Sequence, residues 1–129
     1  MDVASLRAKI RDIKDFPTEG ILFKDITTLL KDGPAWASVI EHLAAKHRKG
    51  SVDVVVGVES RGFIFGGVLA REIGAGEAAH VGDNPVADVQ GAQGVGMRGV
   101  HYAAAGRVGA AHADLIVADL GDLAGLLMH

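Results

Sequence analysis

Apolar residues recur with two different periods along this chain, and the change of period predicts its helices and strands. Spacings of three and four predict an amphipathic helix from Val3 to Lys14. A turn and a short extended piece are predicted at 16–23, and a loop with one helical turn at 24–30. Asp32-Gly33-Pro34 opens the clearest helix of this half, with Asp32 or Gly33 as its cap, and Gly50 ends it.

A short apolar run in the middle of the chain, Val54–Val58, predicts the strand around which the fold is built. Its valines are β-branched and no polar residue alternates with them, so we expect a central parallel strand buried on both faces. A second apolar pattern predicts a helix from Gly62 to Ile73, capped by Gly74. The polar residues between the two elements lie where open α/β sheets bind ligands, beside the free N–H groups of a helix start.

The rest of the chain repeats this alternation of strand and helix. Further strands are predicted at 78–81, 98–102 and 115–118, and further helices at 85–95 and 122–128. Such alternation is typical of parallel βαβ units. The predicted fold class is therefore α/β: a Rossmann-like, three-layer α/β/α sandwich on about four parallel strands. A chain of 129 residues is expected to form a single domain, 1–129.

Composition excludes several classes of protein. The sequence has no cysteine, so disulfides and thiolate chemistry are excluded and nothing favours export. No apolar run reaches the roughly 18 residues of a membrane span, and no signal peptide opens the chain. The net charge of −3 gives no reason to expect nucleic acid as a partner. We expect a cytoplasmic protein with neither a membrane nor a nucleic acid as its partner.

Charge is distributed unevenly between the two halves. Residues 1–74 carry eleven basic and ten acidic side chains, whereas residues 75–129 carry two basic and six acidic ones. The second half is also dense in glycine and alanine. This shift suggests that segments 1–74 and 75–129 have different ancestries.

Two strings in the first segment, FPTEGILFKDITTLL and VVVGVESRGFIFG, carry a resemblance to a known family. From about Ile10 to Gly74 the chain resembles the amino-terminal part of adenine phosphoribosyltransferase. The resemblance implies that the turn after the central strand cradles the pyrophosphate of an activated ribose. The residues implied in that role are Glu59, Ser60, Arg61 and Gly62. The residues implied to receive the purine are Phe23, Lys24 and Ile26.

The residues taken alone leave another interpretation open. Ser60 suits a helix cap, Arg61 a surface ion pair and Phe23 a core position. The family pattern is also incomplete after Gly74. We find no apolar strand ending in two acids before a Thr/Gly-rich loop, and no mobile loop to cover the reaction centre. Because positioning supplies much of the rate in such transfers, this gap argues against efficient adenine phosphoribosyl transfer.

The second segment contains the string HVGDNPVADVQGAQGVGMRGVHY, which resembles a different family. From about Ala78 to Leu127 the chain resembles the carboxyl-terminal part of a haloacid-dehalogenase-type hydrolase. The resemblance implies that Asp83 binds Mg²⁺ and that Asp88 supports the loop. If the strands at 54–58 and 78–81 pair, Glu59 becomes a second, weaker metal ligand. Turn and helix-cap chemistry is the alternative for both aspartates.

The six histidines of the chain show no spacing typical of a metal site, and we expect them to be at the surface or partly buried. The two resemblances together favour a recombinant or designed chimera, joined near Gly74–Glu77. It would lack efficient catalysis and retain at most vestigial binding of a small phosphorylated ligand or Mg²⁺. The alternatives are a weak Mg²⁺-dependent phosphatase and an adenine- or AMP-binding remnant of the transferase. Open sheet edges lead us to expect a homodimer.

Overall fold

The computed structural model describes residues 1–128, apart from the side chain of Ser60. The chain divides into two compact units, Met1–Ala45 and Lys46–His129. These units do not coincide with the segments 1–74 and 75–129 that composition and resemblance suggested. The single domain 1–129 stays a prediction.

The first unit contains a short hairpin and three helices. Its elements are α1 (Val3–Ala8), β1 (Arg11–Lys14), β2 (Leu22–Asp25), α2 (Thr27–Leu30) and α3 (Gly33–Ala44). The predicted helix from Val3 to Lys14 is wrong in its second half, because residues 11–14 pair antiparallel with residues 22–25. The helical turn at 27–30 and the helix that Asp32 caps are confirmed.

Apolar residues from three helices form the core of the first unit. Leu6, Leu29 and Ala35 are buried together, and Trp36 packs against them. At the start of α3, Oδ1 of Asp32 accepts a hydrogen bond from the backbone N–H of Ala35, 3.0 Å away. This contact satisfies one of the N–H groups that a helix start leaves unpaired.

The second unit is built on a sheet of four parallel strands in the order β3-β4-β5-β6. Its elements are β3 (Val54–Val58), α4 (Glu59–Ile73), β4 (Glu77–Gly82), a π-helical segment (Pro85–Gln90), α5 (Gly91–Gly94), β5 (Arg98–Tyr102), β6 (Leu115–Val117), a 3₁₀ turn (Leu120–Asp122) and α6 (Leu123–Leu127). The predicted α/β class and the four parallel strands are confirmed. Gly74 ends α4 with a left-handed φ of 67°, as predicted.

Helices cover both faces of this sheet. On one face, Ala79, Val81 and Val100 pack against Leu123 and Leu127 of α6. On the other face, α4 and the π-helical segment pack against the glycines and histidines of the strands. The result is the predicted three-layer arrangement, with the core beneath α6 formed by small and β-branched side chains.

The strand β3 lies at one end of the described sheet order, so the prediction of a central strand buried on both faces is wrong. Val56 and Val58 are 37% and 47% exposed, although they share a face with the buried Val81. Val54 of β3 packs against the buried cluster that includes Leu123 and Leu127 of α6, whereas Val56 and Val58 stay in contact with solvent.

Among residues 1–128, no helix is both long and apolar enough to cross a membrane. The cytoplasmic location stays a prediction.

Candidate functional site

The turn between β3 and α4 has a constrained backbone. Glu59 follows the strand directly and adopts a left-handed φ of 56°, which is uncommon for a residue other than glycine. A Cβ atom on Gly62 would lie 2.9 Å from the carbonyl carbon of Gly57. Only glycine therefore allows the first turn of α4 to approach the end of β3 this closely.

The predicted pyrophosphate residues all lie in this first turn of α4. The turn presents backbone N–H groups that have no partner within the helix, at the positive end of the helix dipole. The side chains of Glu59 and Arg61 are exposed, and the side chain of Ser60 lies outside the described part of the chain. Binding of pyrophosphate by this turn stays a prediction.

Strand pairing brings Glu59 and Asp83 to one small cavity. Val58 is level with Val81 in the parallel register, so the residues after each strand leave the same edge of the sheet. The cavity there has a volume of about 170 Å³, and Glu59, Asp83 and Tyr102 are among the residues that line it. The two strands do pair, which is the condition on which the prediction of Glu59 as a weak metal ligand depended, and both acids lie at one edge of the sheet.

Asp88 is engaged inside the protein. Its Oδ2 accepts a hydrogen bond from the backbone N–H of Asn84, 2.9 Å away, and its Oδ1 accepts one from Nε2 of His80 at 3.3 Å. The Asp88 carboxylate also lies directly over Gly82, where a Cβ atom would overlap it at 2.1 Å. Asp88 thus holds the turn that carries Asp83, whereas its part in metal binding stays a prediction.

Two histidines that we expected at or near the surface are buried. His80 is 1% exposed, and its ring packs edge-on against Phe63 with centroids 5.4 Å apart. His101 is 5% exposed. The prediction is wrong for both residues because they lie on the two inner strands of the sheet, on the face covered by α4 and the π-helical segment.

The predicted purine residues belong to the first unit, around β2. Phe23 is half-buried and packs edge-on against Phe16, with ring centroids 5.1 Å apart. Lys24 is the next residue of the strand, and its Nζ donates to Oδ1 of Asp12 at 2.7 Å. Since successive strand residues point to opposite faces, Phe23 and Lys24 do not form one surface. Ile26 is half-buried just after the strand. Purine binding by these residues stays a prediction.

Asp25 lies between Lys24 and Ile26, and its ionised form is stabilised by hydrogen bonds. Its Oδ1 accepts the backbone N–H of Thr27 at 2.9 Å, and its Oδ2 accepts from Arg11 at 2.6 Å. The hydrogen bonds from Thr27, followed by the Arg11 guanidinium, lower the pKa of Asp25 from 3.8 to about 2. This network joins β1 to the end of β2 and fixes the start of α2.

No group of three or more His, Cys, Asp or Glu side chains that could hold a metal ion occurs among the residues whose placement is described. The predicted ligands Asp83 and Glu59 line one cavity, but the third carboxylate, Asp88, is bonded to Asn84 and His80. Magnesium usually keeps several waters and takes one or two carboxylates together with substrate phosphates. Glu59 and Asp83 would supply two carboxylates of this kind, with the remaining ligands coming from water and a bound phosphate.

A larger cavity lies beside this edge and was not predicted from the sequence. Its volume is about 420 Å³, and its lining includes Asp83, His101, Tyr102 and Arg107. The loop that closes it follows β5 and consists mainly of alanine and glycine, so no motif marks it. The only available signal was Arg107, a lone basic residue in an otherwise small-residue stretch.

Comparison with known proteins identifies the family. The family described as "Phosphoribosyl transferase domain" matches residues 27–97, which is more than half of the chain. The chain belongs to this phosphoribosyl transferase family. The match runs from α2 through β3, α4 and β4 to the residue before β5, and it includes both Asp83 and Asp88.

Two curated relatives of this phosphoribosyl transferase domain are adenine phosphoribosyltransferases. Adenine phosphoribosyltransferase of Sulfurimonas denitrificans is 49% identical over 73 residues, which is 57% of this chain and 40% of the relative. The protein of that name from Acaryochloris marina is 55% identical over 76 residues, or 59% of this chain and 43% of the relative. The chain thus spans less than half the length of these relatives.

Solved structures agree with this family assignment. Adenine phosphoribosyltransferase from Thermoanaerobacter pseudethanolicus aligns with a TM-score of 0.56 and 40% identity, over 61% of this chain and 46% of that one. The Giardia lamblia enzyme, solved in complex with 9-deazaadenine, aligns with a TM-score of 0.57 and 41% identity, over 62% of this chain and 44% of that one. The resemblance of the first segment to adenine phosphoribosyltransferase is confirmed.

The prediction of a chimera without efficient catalysis is wrong. The family match crosses the predicted junction at 74–77 and continues through β4 and the π-helical segment to residue 97, which is the first part of the stretch that resembles a hydrolase. The structure shows one continuous β3-α4-β4 unit across the same junction. Nothing in these comparisons supports a hydrolase-like second half, and the Mg²⁺-dependent phosphatase stays an untested alternative.

Proposed function

We propose that this chain binds adenine, free or as AMP, and takes part in adenine phosphoribosyl transfer. The observation that carries the proposal is the β3-α4 turn, with its left-handed Glu59 and close glycine pair, in a chain 49–55% identical to adenine phosphoribosyltransferases over its matched part. The reaction joins adenine to the phosphoribosyl group of phosphoribosyl pyrophosphate and releases pyrophosphate. The chain spans less than half of these relatives, so activity is the quantity to be tested.

The pyrophosphate group would bind at the first turn of α4. An anion at this point accepts hydrogen bonds from the N–H groups of residues 60–62 and is stabilised by the helix dipole. The helix has 15 residues, and its start is held against β3 by the contact between Gly57 and Gly62. Arg61 would add a charge-assisted contact from the same turn. A turn whose backbone is held by such packing needs little ordering when it binds a ligand, which supports the proposal.

Adenine would bind in the first unit at the end of β2. The half-buried ring of Phe23 offers an aromatic face, and its edge-on contact with Phe16 holds the ring in one orientation. Ile26 extends the apolar surface that a purine needs, and Lys24 supplies a cation on the other side of the strand. The support for this part is the resemblance of the string FKDI to the purine-binding segment of the family.

Magnesium would enter the proposed reaction already bound to the pyrophosphate group of the substrate. Glu59 and Asp83 are the residues that would hold it, because both line the cavity beside the anion-binding turn. When bound, the ion neutralises part of the charge on the departing pyrophosphate. Asp88 would keep Asp83 in position through its bond to the Asn84 N–H.

The test separates the two ligands by calorimetric titration of the full chain with adenine, AMP and pyrophosphate, with and without Mg²⁺. Arg61→Ala should weaken pyrophosphate binding by roughly ten- to a hundredfold, the usual cost of a lost charged hydrogen bond, and leave adenine binding unchanged. Phe23→Ala should weaken adenine binding and leave pyrophosphate binding unchanged. Arg71→Ala, at the opposite end of α4, is the matched control.

An assay of AMP formation from adenine and phosphoribosyl pyrophosphate completes the test. AMP formation that depends on Arg61 and Phe23 supports the proposal. Wild-type chain that binds neither adenine nor pyrophosphate, or variants that bind both like the wild type, would overturn it.

A further inference from the structure

A basic segment, residues 46–49, precedes β3 and has no part in the proposed reaction. Lys46, Arg48 and Lys49 are exposed, and none of them forms an ion pair within residues 1–128. The turn with Glu59 follows β3, whereas the basic segment comes before it. The basic segment and the candidate site therefore lie toward opposite ends of this strand.

A tight turn holds part of the basic segment in place. The backbone N–H of Ser51 donates to the carbonyl oxygen of Arg48 at 2.9 Å, and Gly50, the third residue of the turn, has a φ of 75°. The N–H of Gly50 donates to the carbonyl oxygen of Ile73 at 2.8 Å. Ile73 is the last residue of α4, so the turn is fastened to the carboxyl end of that helix.

The side chain of Lys49 lies along the end of α4. A Cβ atom on Gly74 would lie 3.4 Å from Cγ of Lys49 and 3.7 Å from its Cε. The carboxyl end of a helix carries a partial negative charge, which favours a cation at this point. The aliphatic stem of Lys49 is thus packed on the protein, while its ammonium group can face a partner.

Exposed apolar side chains lie beside this turn. Gly50 and Gly74 line an open hollow of about 400 Å³ together with Met128. The Met128 side chain is 58% exposed, and Leu126 of α6 is 42% exposed. All of these residues belong to the second unit. One end of this unit therefore presents cations and apolar side chains close together.

The charge around the hollow is positive on balance. Two acids are on its lining, and Glu77 is paired with Arg98 at 2.6 Å, whereas Asp53 has no ion pair among the described residues. In the last turn of α4, Arg71 and Glu72 offset each other in charge. The three cations of the basic segment thus face one unpaired carboxylate.

We propose that the basic segment and Met128 form a surface that binds the face of an anionic lipid bilayer. Lysine and arginine are attracted to anionic headgroups, and an exposed apolar side chain beside them enters the boundary with the acyl chains. Of the residues that line the hollow none is aromatic, so a nucleic acid would find no ring on which to stack a base.

This peripheral contact differs from the sequence expectation of a protein without a membrane partner. That expectation depended on the absence of a spanning segment and on the net charge. A surface contact needs no spanning helix, and a local patch acts within a Debye length of about 10 Å, whatever the charge of the whole chain. The proposal does not depend on the proposed function, because it uses none of the residues of the candidate site.

Co-sedimentation with lipid vesicles tests the proposal on the full chain. The wild type should bind vesicles of phosphatidylcholine that contain phosphatidylserine, and high salt should release it. Each basic residue near an anionic bilayer is worth roughly fivefold in binding, so Arg48→Gln/Lys49→Gln should bind roughly tenfold or more weakly. Lys14→Gln/Lys31→Gln removes the same charge from exposed residues without ion pairs and is the matched control.

Two further variants separate charge from packing. Arg48→Lys/Lys49→Arg keeps both charges and should bind like the wild type, whereas Met128→Ser should bind more weakly while keeping every charge. The altered side chains are exposed, so all variants should unfold at the wild-type urea concentration.

Four outcomes would overturn the inference: no binding to the anionic vesicles at low salt, equal binding to vesicles of phosphatidylcholine alone, equal binding by the two glutamine double variants, or tighter binding to a single-stranded oligonucleotide than to the vesicles. Vesicle binding that is lost in Arg48→Gln/Lys49→Gln, and retained in a chain that binds neither adenine nor pyrophosphate, would support this surface and refute the proposed function.

Discussion

The contact between Gly57 and Gly62 makes a quantitative prediction about α4. In Gly62→Ala, the new Cβ would lie 2.9 Å from the carbonyl carbon and 3.0 Å from the Cα of Gly57. Ordinary carbon–carbon contacts are about 3.5–4.0 Å. Both neighbouring atoms belong to the backbone, so no side-chain rotation can relieve the overlap. The start of α4 must move away from β3 by about half an ångström or more.

A second glycine of the same helix provides the control. A Cβ on Gly67 would have as its nearest neighbour the sulfur of Met97, at an ordinary 3.8 Å. Alanine is favoured over glycine inside a helix by about 1 kcal/mol, and Gly67→Ala should gain most of this. Overpacking typically costs about 1–3 kcal/mol. We therefore expect Gly62→Ala to lose up to about 2 kcal/mol after the gain in helix propensity.

Thermal unfolding followed by circular dichroism measures the difference. At roughly 4 °C per kcal/mol for a chain of this size, the two variants should melt roughly 4–12 °C apart, with Gly67→Ala higher. Urea unfolding should give the same order. A Gly62→Ala protein that melts at or above Gly67→Ala would refute the close packing of α4 on β3, and with it the preformed anion-binding turn.

Two further predictions concern the titration of the Asp25 carboxylate and the tautomer of the His101 ring. The pKa of Asp25 is lowered to about 2 by Thr27 and then Arg11, so its contribution to stability is full above pH 4 and is lost as the pH falls toward 2. Asp25→Asn should lower the urea midpoint at pH 7 and flatten its fall between pH 4 and 2; a fall as steep as in the wild type would contradict this. At neutral pH, ¹⁵N NMR should show His101 as the Nε2–H tautomer, because Nδ1 accepts from Ala110. A protonated Nδ1 would disprove the bridge that His101 makes between Ala110 and the Asp83 turn.

The sequence predicted the second unit better than the first. The run 54–58 and the segment 98–102 were placed as strands with the bounds that the structure has. A short β-branched run and a capped helix are local signals, and each residue contributes to them independently of distant parts of the chain. The hairpin of the first unit was missed because 11–14 continue a helical spacing. Their pairing with 22–25 is a non-local contact, and it overrides that preference.

The candidate site likewise has one part that the sequence predicted and another that only the structure revealed. The turn 59–62 was found because a strand end followed by a helix start is visible in the sequence. The sequence left open whether β3 and β4 are neighbours, and the structure decided that they pair and bring Glu59 and Asp83 to one edge. The cavity at Arg107 was not found. It depends on His101, which looked like any other histidine until the fold placed it between the Asp83 turn and Ala110.

The prediction of function failed at the second segment. The string around Asp83 and Asp88 resembles a hydrolase, and the change in charge after Gly74 suggested a junction. The family match continues through the proposed junction to residue 97, so the change in charge after Gly74 does not mark the end of the phosphoribosyl transferase domain. Charge at exposed positions is weakly constrained by folding, so a shift in charge is poor evidence of a join.

The sequence by itself determined the α/β class, the parallel strands, the caps of α3 and α4, and the family resemblance of the first segment. These depend on periodicity, on caps and on short strings, all of which act within a few residues. Only the tertiary structure decided that β3 lies at the edge of the sheet, that residues 11–14 form a strand and that His101 bridges two walls of a cavity. Each of these depends on contacts between residues far apart in sequence, whose free energy is determined by the packed fold and not by the local pattern.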